Sequence, residues 1–269
     1  MESDDMTYEA PLDREICLMG FYCIYELYFK VLCVEVSDMG RGKQRRKYKQ
    51  KQKRIEKAKR GKLVRFDLQN SSKKYSGFSN KYCYQTNIHK LIYKDAKFHN
   101  IKFQSSNITN CNYKNALFKG IDFCNCNLKN STFIGASFEN VIFMNCNLKG
   151  ADFTGAKFHN VYFIMTNTEV AKGVDKEKVR ILNTYPKNVQ FDSNCEVALF
   201  RLGQINKIYK YHVLHVSPTK INMWIMLILL EKYGEGTGRA LNALVRRKDK
   251  RFFYTVASYM NFIESYLKL

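Results

Sequence analysis

Three groups of residues carry side chains with chemical potential. Cys124 and Cys126 form a Cys-X-Cys pair, and His212 and His215 lie three positions apart. Thiolates and imidazoles at close spacing are the usual protein ligands of zinc. The segment 234–239, GEGTGR, is rich in glycine like the loops that bind phosphate groups. Metal binding and phosphate binding are therefore the two candidate chemistries. Each depends on whether the predicted helices and strands bring these residues together.

The glycine-rich segment lacks the context that phosphate binding needs. GEGTGR follows a predicted helix rather than a strand, and it lacks the Lys-Ser/Thr ending of a phosphate loop. We therefore predict a connector between two helices. His212 and His215 lie on one side of a possible helix, KIYKYHVLHV, with no Cys or other His nearby, which favours core or surface histidines.

A five-residue period runs through the middle of the chain. Every fifth residue from Ile88 to Phe163 is large and apolar, although helices repeat near 3.6 residues and strands at 2. A mostly smaller residue lies two positions before each large one, and Asn or Gly usually lies two positions after it. Positions two apart on an extended segment face the same side, and Asn and Gly tolerate tight turns. The pattern predicts five-residue extended sides joined by corners.

A second period shows how many sides make one coil. The small position is Ala at 96, 116, 136 and 156, and it is Ile, Ile, Val and Val at 101, 121, 141 and 161. A 20-residue superperiod follows if four units close one turn. The predicted core of this mainly β solenoid includes Phe98, Phe103, Phe118, Phe123, Leu128, Phe133, Phe138, Phe143, Leu148, Phe153, Phe158 and Phe163.

The units ADFTG, CNLKG and AKFHN resemble the pentapeptide-repeat family, whose pattern is approximately A-(D/N)-L-x-x. The resemblance covers residues 86–170 and implies a right-handed four-sided β-helix. Asp122 and Asp152 occupy the second position of the unit, where the family commonly has Asp or Asn, so they need no catalytic role. The family shares a fold while its functions are diverse.

This register also bears on the candidate chemistry. Cys124 and Cys126 are expected on opposite faces, which argues against joint metal binding, and Cys124 is expected to be the more reactive thiol. Cys111, Cys126 and Cys146 are expected to be reduced, buried core fillers, consistent with a cytoplasmic protein. The histidines at positions 99 and 159 share one column three coils apart and are predicted to be exposed. We expect no catalytic residue, metal or cofactor, and no enzyme activity.

Positive charge is concentrated before the repeats. The formal net charge is +21, and residues 39–62 alone contain 13 basic residues and 1 acidic residue. This segment has almost no apolar residues, so it is predicted to be an exposed arm or a solvated single helix. Its candidate nucleic-acid-binding residues are Arg45, Arg46, Lys47, Lys49, Lys51, Lys53, Arg54, Lys57, Lys59 and Arg60.

Residues 1–38 carry 2 basic and 9 acidic residues and contain an apolar stretch from Ile16 to Val36. Its longest uncharged run, Ile16–Tyr25, is shorter than a transmembrane helix. A helix packed on the protein or on a partner is the leading interpretation. The alternatives are an interfacial membrane helix and an upstream artefact, with translation starting at Met39. Residues 63–85 are predicted to be a lead-in and cap.

Residues 171–269 abandon the five-residue period. Three segments, beginning near Thr219, Thr237 and Phe252, are predicted to be helices, with the two threonines as N-caps. We expect a mainly helical domain against the C-terminal end of the β-helix, because an open solenoid end exposes strand edges. This domain is also a candidate dimer interface, and the sequence leaves the oligomeric state open.

These features favour a non-catalytic scaffold that docks an unidentified partner protein and contacts DNA or RNA non-specifically through the arm. The first alternative is DNA mimicry of the kind by which acidic family members protect gyrase. Here, residues 86–170 contain 9 basic and 5 acidic residues, which disfavours that alternative. Membrane association and a role in a bacterial defence or toxin-related complex are the remaining alternatives.

Overall fold

The computed structural model describes residues 67–217 and 219–269, and the separate positions 45, 46, 48, 49, 52, 53 and 56. The chain divides into two compact units, Met1–Val64 and Arg65–Leu269. The predicted apolar segment at 1–38 and the first residues of the predicted lead-in lie outside the described residues. The second unit consists of a β-coil followed by helices.

The coil is a parallel β solenoid of about 6 turns. Its strands are β1 (Asp67–Gln69), β2 (Gly77–Tyr84), β3 (Asn87–His89), β4 (Lys97–Gln104), β5 (Asn107–Thr109), β6 (Leu117–Cys124), β7 (Ser137–Met144), β8 (Lys157–Ile164) and β9 (Val179–Leu182). One sheet has the order β1-β3-β5 and another the order β2-β4-β6-β7-β8-β9, with all pairs parallel. Isolated bridges such as Asn112 to Thr132 continue the pairing between strands.

The stacked phenylalanines confirm the predicted 20-residue coil. Phe98 pairs in register with Phe118, Phe118 with Phe138, and Phe138 with Phe158. Their ring centroids lie 4.9, 4.9 and 5.5 Å apart, close to the spacing of paired strands. Each ring is nearly parallel to its neighbour, so the column is continuous and excludes water from the interior.

The corners have the predicted left-handed backbone. Asn and Gly populate positive φ more readily than other residues, and these two types dominate the corner column. Positive φ values, between 49° and 71°, occur at Asn100, Asn110, Asn115, Gly120, Asn125, Asn130, Gly135, Asn140, Asn145, Gly150, Gly155 and Asn160. Successive asparagines also bond to each other: the Asn145 Nδ2 donates to the Asn125 Oδ1 at 2.8 Å.

The coil extends beyond the predicted limits of 86–170 at both ends. At the start, Lys74 pairs with Ile92, eighteen residues later instead of twenty, and the tilted rings of Tyr75 and Tyr93 have centroids 5.4 Å apart. At the end, Val161 pairs with Val179, again eighteen residues apart. Each two-residue change shifts the inward positions relative to the five-residue count. At the start this shift affects one side only, because β1 with β3 and β2 with β4 keep the 20-residue offset.

The remaining elements are α1 (Ser193–Gln204), α2 (Asn206–Tyr209), β10 (His215–Ser217), β11 (Lys220–Ile221), α3 (Met223–Tyr233), α4 (Gly236–Arg246) and α5 (Val256–Leu267). The connector predicted for GEGTGR is confirmed only in part: Gly234 and Glu235 connect α3 to α4, but Gly236–Arg239 form the start of α4. The single helix proposed for KIYKYHVLHV is wrong: α2 is short, and His215 lies in β10, which pairs with β11.

Both predicted N-caps are wrong. Thr219 precedes β11, and α3 begins after Asn222. Thr237 lies inside α4, where its buried Oγ1 donates to the Leu229 carbonyl oxygen at 3.1 Å. Side-chain caps occur instead at Asp192, whose Oδ1 accepts from the Cys195 N–H, and at Thr255, whose Oγ1 accepts from the Ser258 N–H.

The helices pack on one side of the coil, which corrects the predicted position at its C-terminal end. Helix α5 packs against β6 and β7. The outward-facing Ile142, Tyr162 and Ile164 are buried in one apolar cluster with helix residues that include Leu199, Leu241 and Met260. The end of the coil is instead closed by the segment around β9, whose Val179 packs on the coil interior.

The lateral helices also change the expected behaviour of one cysteine. Cys111, Cys126 and Cys146 are buried in the coil interior, as predicted. Cys124, predicted to be the reactive thiol, is only 7% exposed. It does point outward from the coil, but it lies on the side that the helices cover.

We expect Phe118→Ala to lower the free energy of unfolding by about 3–5 kcal/mol, because the truncation leaves a cavity in the aromatic column. Chemical denaturation would measure the loss. Leu117→Ala is the matched control, because Leu117 is partly exposed and points outward. Equal losses in the two variants would contradict the stacked-column assignment.

Cys124 should report on the lateral packing. In the native protein we expect slow alkylation of Cys111, Cys124 and Cys126, measured by peptide mass spectrometry. Tyr259→Ala, a truncation in the buried face of α5, should speed labelling of Cys124 while Cys111 and Cys126 stay protected. Tyr259→Phe is the matched control. Rapid labelling of Cys124 in the native protein would contradict the observed packing.

Candidate nucleic-acid interface

The predicted basic arm is described at seven positions, all helical and exposed. Four of the ten candidate residues are among them: Arg45, Arg46, Lys49 and Lys53. The other six lie outside the described residues: Lys47, Lys51, Arg54, Lys57, Lys59 and Arg60. Residues four apart share one side of a helix, so Arg45, Lys49 and Lys53 can present their charges in one direction.

The structure reveals a second basic region, in a segment that the sequence predicts to be part of a helix. Helix α4 ends at Arg246, and the connection to α5 begins with Arg247. Residues 246–251, RRKDKR, contain five basic residues and one acidic residue. Most of these residues are exposed. The density of positive charge in this connection, hereafter the 247–253 loop, is the signal that would have identified it.

The 247–253 loop borders a cleft of about 280 Å³. The coil contributes His99 and Lys119 to one wall, and helix α5 contributes Ser258 and Asn261 to another. At the base of the cleft α5 lies close to the coil corner at Gly120, and both Gly120 and Ala257 line the cleft. A Cβ atom at Gly120 would lie 3.0 Å from the Ala257 Cβ, so glycine permits the close approach.

Arg247 is held by aromatic rings at one edge of the cleft. Its guanidinium carbon lies 5.9 Å from the Phe253 ring centroid and 5.4 Å from the Phe262 ring centroid. Cation–π contacts of this kind order an arginine side chain while its N–H groups remain able to donate to an anion. Phe253 is buried, so the platform under Arg247 is anchored in the protein interior.

Phe252 has an unusual backbone conformation beside Arg247. Its φ is 66°, a value that is rare for a bulky residue, and its side chain remains 44% exposed. The Asn100 Nδ2 donates to the Phe252 carbonyl oxygen at 2.9 Å, and the Thr255 Oγ1 donates to the Asn100 Oδ1 at 2.9 Å. Hydrogen bonds from the coil therefore hold this strained residue in place.

Ion pairs partly balance the charges around the cleft. Arg251 makes a two-point contact with Asp249, with distances of 3.0 Å from Nε and 2.9 Å from Nη2. This contact lowers the pKa of Asp249 to about 2. Lys119 pairs with Glu139 at 2.8 Å. Exposed pairs of this kind are weak in water, so both cations remain available to a phosphate group.

A buried charge pair lies behind the cleft. Lys102 and Asp122 are neighbours in the sheet, and each is only 2% exposed. The Lys102 Nζ donates to the His212 carbonyl oxygen at 3.1 Å, and the Val256 N–H donates to the Asp122 Oδ2 at 3.0 Å. The two charges thus connect the coil to the helical part at two points.

Burial raises the pKa of Asp122 to about 6, although Lys102 and the Val256 N–H oppose the rise. Its second oxygen, Oδ1, has no hydrogen-bond partner among the described residues. The carboxylate is therefore incompletely satisfied at neutral pH. From the sequence, Asp122 is a common residue at the second position of the repeat unit, whereas in the structure it accepts a hydrogen bond from the Val256 N–H on the helical side.

The other candidate residues are separated or exposed. His99 and His159 are exposed on one column, as predicted, and Asp152 lies near the surface on a different side. His215 is buried beside Gly203, and burial lowers its pKa. Among residues 67–217, 219–269 and the seven arm positions, no three His, Cys, Asp or Glu side chains form a metal-binding group. The same residues include no helix with both the length and the apolar character to cross a bilayer.

The repeat geometry agrees with a known family. The family model for pentapeptide repeats matches residues 106–144 and 121–160, with 8 copies. The chain contains a pentapeptide-repeat domain. No curated protein matches the chain.

Several solved pentapeptide-repeat structures resemble parts of the chain. HetL from the cyanobacterium Nostoc, involved in heterocyst differentiation regulation, is 16% identical with a TM-score of 0.23 over 37% of this chain and 62% of that chain. An Arabidopsis thaliana thylakoid-lumen protein is 24% identical with a TM-score of 0.17 over 32% and 63%. Both alignments span less than two thirds of the relative.

QnrB1, a plasmid-mediated fluoroquinolone resistance protein, is 12% identical with a TM-score of 0.20 over 52% of this chain and 98% of that chain. These identities and TM-scores carry no functional argument, so the function is argued from the residues of this chain.

The raised pKa of Asp122 predicts a pH dependence of stability. The pKa of Asp122 in the folded state, about 6, lies above the ordinary aspartate pKa of 3.8. The folded state therefore binds the Asp122 proton more tightly than the unfolded state does. Protonation of Asp122 stabilises the fold fully below about pH 4, and this stabilisation is lost as the pH rises to about 6. Relative to Asp122→Asn, the wild type should lose stability across this interval.

Denaturant titrations of both proteins from pH 4 to pH 7 would measure this difference. Asn retains an oxygen that can accept from the Val256 N–H, so the variant isolates the ionisation. Parallel stability curves from pH 4 to pH 6 would contradict the assignment.

Proposed function

We propose that this protein is a non-catalytic binding scaffold that docks a partner protein and contacts nucleic acid through its basic arm. The observation that carries the proposal is the exposure of Arg45, Arg46, Lys49 and Lys53 within a segment of 13 basic residues and 1 acidic residue. Closely spaced exposed cations replace the counterions of a phosphate backbone. The released counterions favour binding that depends strongly on salt and little on sequence.

The pentapeptide-repeat domain supports the scaffold role through its shape. One side carries stacked short polar residues, where the Asn127 Nδ2 donates to the Asn107 Oδ1 at 3.0 Å. Such a side is an open ladder of amides and hydroxyls that suits contact with another flat surface. Enzymes and small-molecule sites more often use enclosed clefts with converging polar groups.

The charge of the domain disfavours the DNA-mimic alternative. Residues 86–170 carry 9 basic and 5 acidic residues. A protein surface that binds DNA is positively charged, so it would repel a repeat domain that also carries a net positive charge. We therefore propose that the protein binds nucleic acid and does not mimic it.

Changing Arg45, Arg46, Lys53 and Arg54 to Gln should weaken binding of the full-length protein to DNA and RNA. The slope of log affinity against log salt should fall by about three to four units, because four phosphate contacts are removed. Mobility shifts and anisotropy titrations at several salt concentrations would measure the slope.

A matched control removes the same charge from the coil, by changing the exposed Lys94, Lys114, Lys129 and Lys149 to Gln. This variant should retain most of the slope if the arm is the contact surface. Equal effects of the two quadruple variants would contradict the arm assignment. Inhibition of gyrase supercoiling that survives loss of the arm charges would favour the DNA-mimic alternative.

A further inference from the structure

The cleft beside the 247–253 loop has the shape of a site for one flat group. Its volume, about 280 Å³, is near the lower limit of small-molecule sites, roughly 300 Å³. It is open to solvent along the loop, where Arg251 and Phe252 are exposed. A single base with its phosphate can enter such a cleft, whereas a folded protein segment would need a broader surface.

Phe252 provides an aromatic face that the fold alone does not require. Its ring contacts Arg251, with 5.8 Å between the guanidinium carbon and the ring centroid, and it lies 6.1 Å from the Tyr254 ring. Core packing would bury this ring, yet 44% of the residue stays exposed while its backbone is strained. Strained residues held by surrounding structure are concentrated at ligand sites.

The cleft that contains this ring is also lined by cations. Arg247 and Arg251 lie on the loop, and Lys119 lies on the coil wall, with His99 beside it. Arginine offers planar N–H groups that match phosphate oxygens, and it also stacks on aromatic rings and bases. An exposed aromatic ring in a positively charged groove is a combination by which proteins bind unpaired bases and their phosphates.

We infer that this cleft binds one nucleotide of single-stranded RNA or DNA, with a base stacked on Phe252 and phosphates on Arg247 and Arg251. The inference rests on the proposed function in that both require nucleic-acid binding, but it uses residues separate from the arm. In duplex DNA the bases are already stacked in the helix, so the cleft selects single strands. An acidic peptide could satisfy the arginines, but it would leave the Phe252 ring without a stacking partner.

The test uses the full-length protein and fluorescein-labelled 12-nucleotide oligouridylate and oligothymidylate, with a 12-base-pair duplex for comparison. Phe252→Gly removes the ring, and glycine adopts positive φ without strain, so folding should be preserved. We expect this variant to bind single strands about tenfold or more weakly, with an unchanged salt slope and unchanged duplex binding.

The double variant Arg247→Gln, Arg251→Gln should show the complementary effect. Loss of two phosphate contacts on a single strand lowers the salt slope by about 1.4 units. Lys129→Gln, Lys149→Gln is the matched charge control, and Phe200→Ala is the aromatic control, because Phe200 is 71% exposed and does not line the cleft. Neither control should reproduce the effect of its counterpart.

The outcomes separate this inference from the proposed function. Binding that is lost in the arm variant but unchanged in Phe252→Gly would overturn the cleft assignment and leave the arm assignment standing. A tenfold effect of Phe252→Gly that persists in the arm variant would support the cleft even if the arm contributes nothing. Wild-type protein that binds none of the three oligonucleotides would overturn both, and equal losses on single strands and duplex would overturn the stacking role.

Discussion

A left-handed backbone at every fifth residue is the constraint on which the structure depends. Each corner turns the chain from one side of the coil to the next. After four corners the chain begins the next layer. Because Asn100, Gly120, Asn140 and Asn160 repeat the same conformation, Phe98 and its successors remain in register. A change of angle at one corner would displace every residue above it. The straight aromatic column therefore follows from the corners as much as from apolar packing.

The helices pack against the outer side of this regular coil. Tyr162 and Ile164 are outward residues of the repeat that would be exposed on an isolated coil, and the helices bury them. Lys102 and Asp122 then add directional contacts at the same side. Burying two charges is expensive, so this pair contributes more to positioning than to net stability. The Phe252 backbone is held separately, because the Asn100 Nδ2 donates to its carbonyl oxygen and the Thr255 Oγ1 donates to the Asn100 Oδ1.

The repeat could be predicted from the sequence because its period is local and uninterrupted from Ile88 to Phe163. Its C-terminal end could not, because a two-residue change at Val179 moves the inward positions out of phase. At the other end only the side at Tyr75 is displaced, where the five-residue count falls on the polar Lys73, while β1 and β2 keep the 20-residue offset. The site of helix packing was missed although Ile142 and Ile164 already stood at outward positions. The cleft joins Lys119 to Arg251, and no short-range pattern links residues so far apart in the chain. The arm remains a sequence-based prediction at Lys47 and the other positions beyond the described residues.

The last coil strand, β9, has four residues, whereas the β8 strand beside it has eight. A stack of identical parallel layers is geometrically able to grow by adding layers from another molecule, as in amyloid fibres. The short β9 strand offers few free backbone groups for such growth. Arg180 on β9 is also bound to Glu231 of helix α3 at 2.6 Å, which places a charged pair at this edge. Fibre growth from this end of the coil is therefore disfavoured by the same segment that completes its last turn.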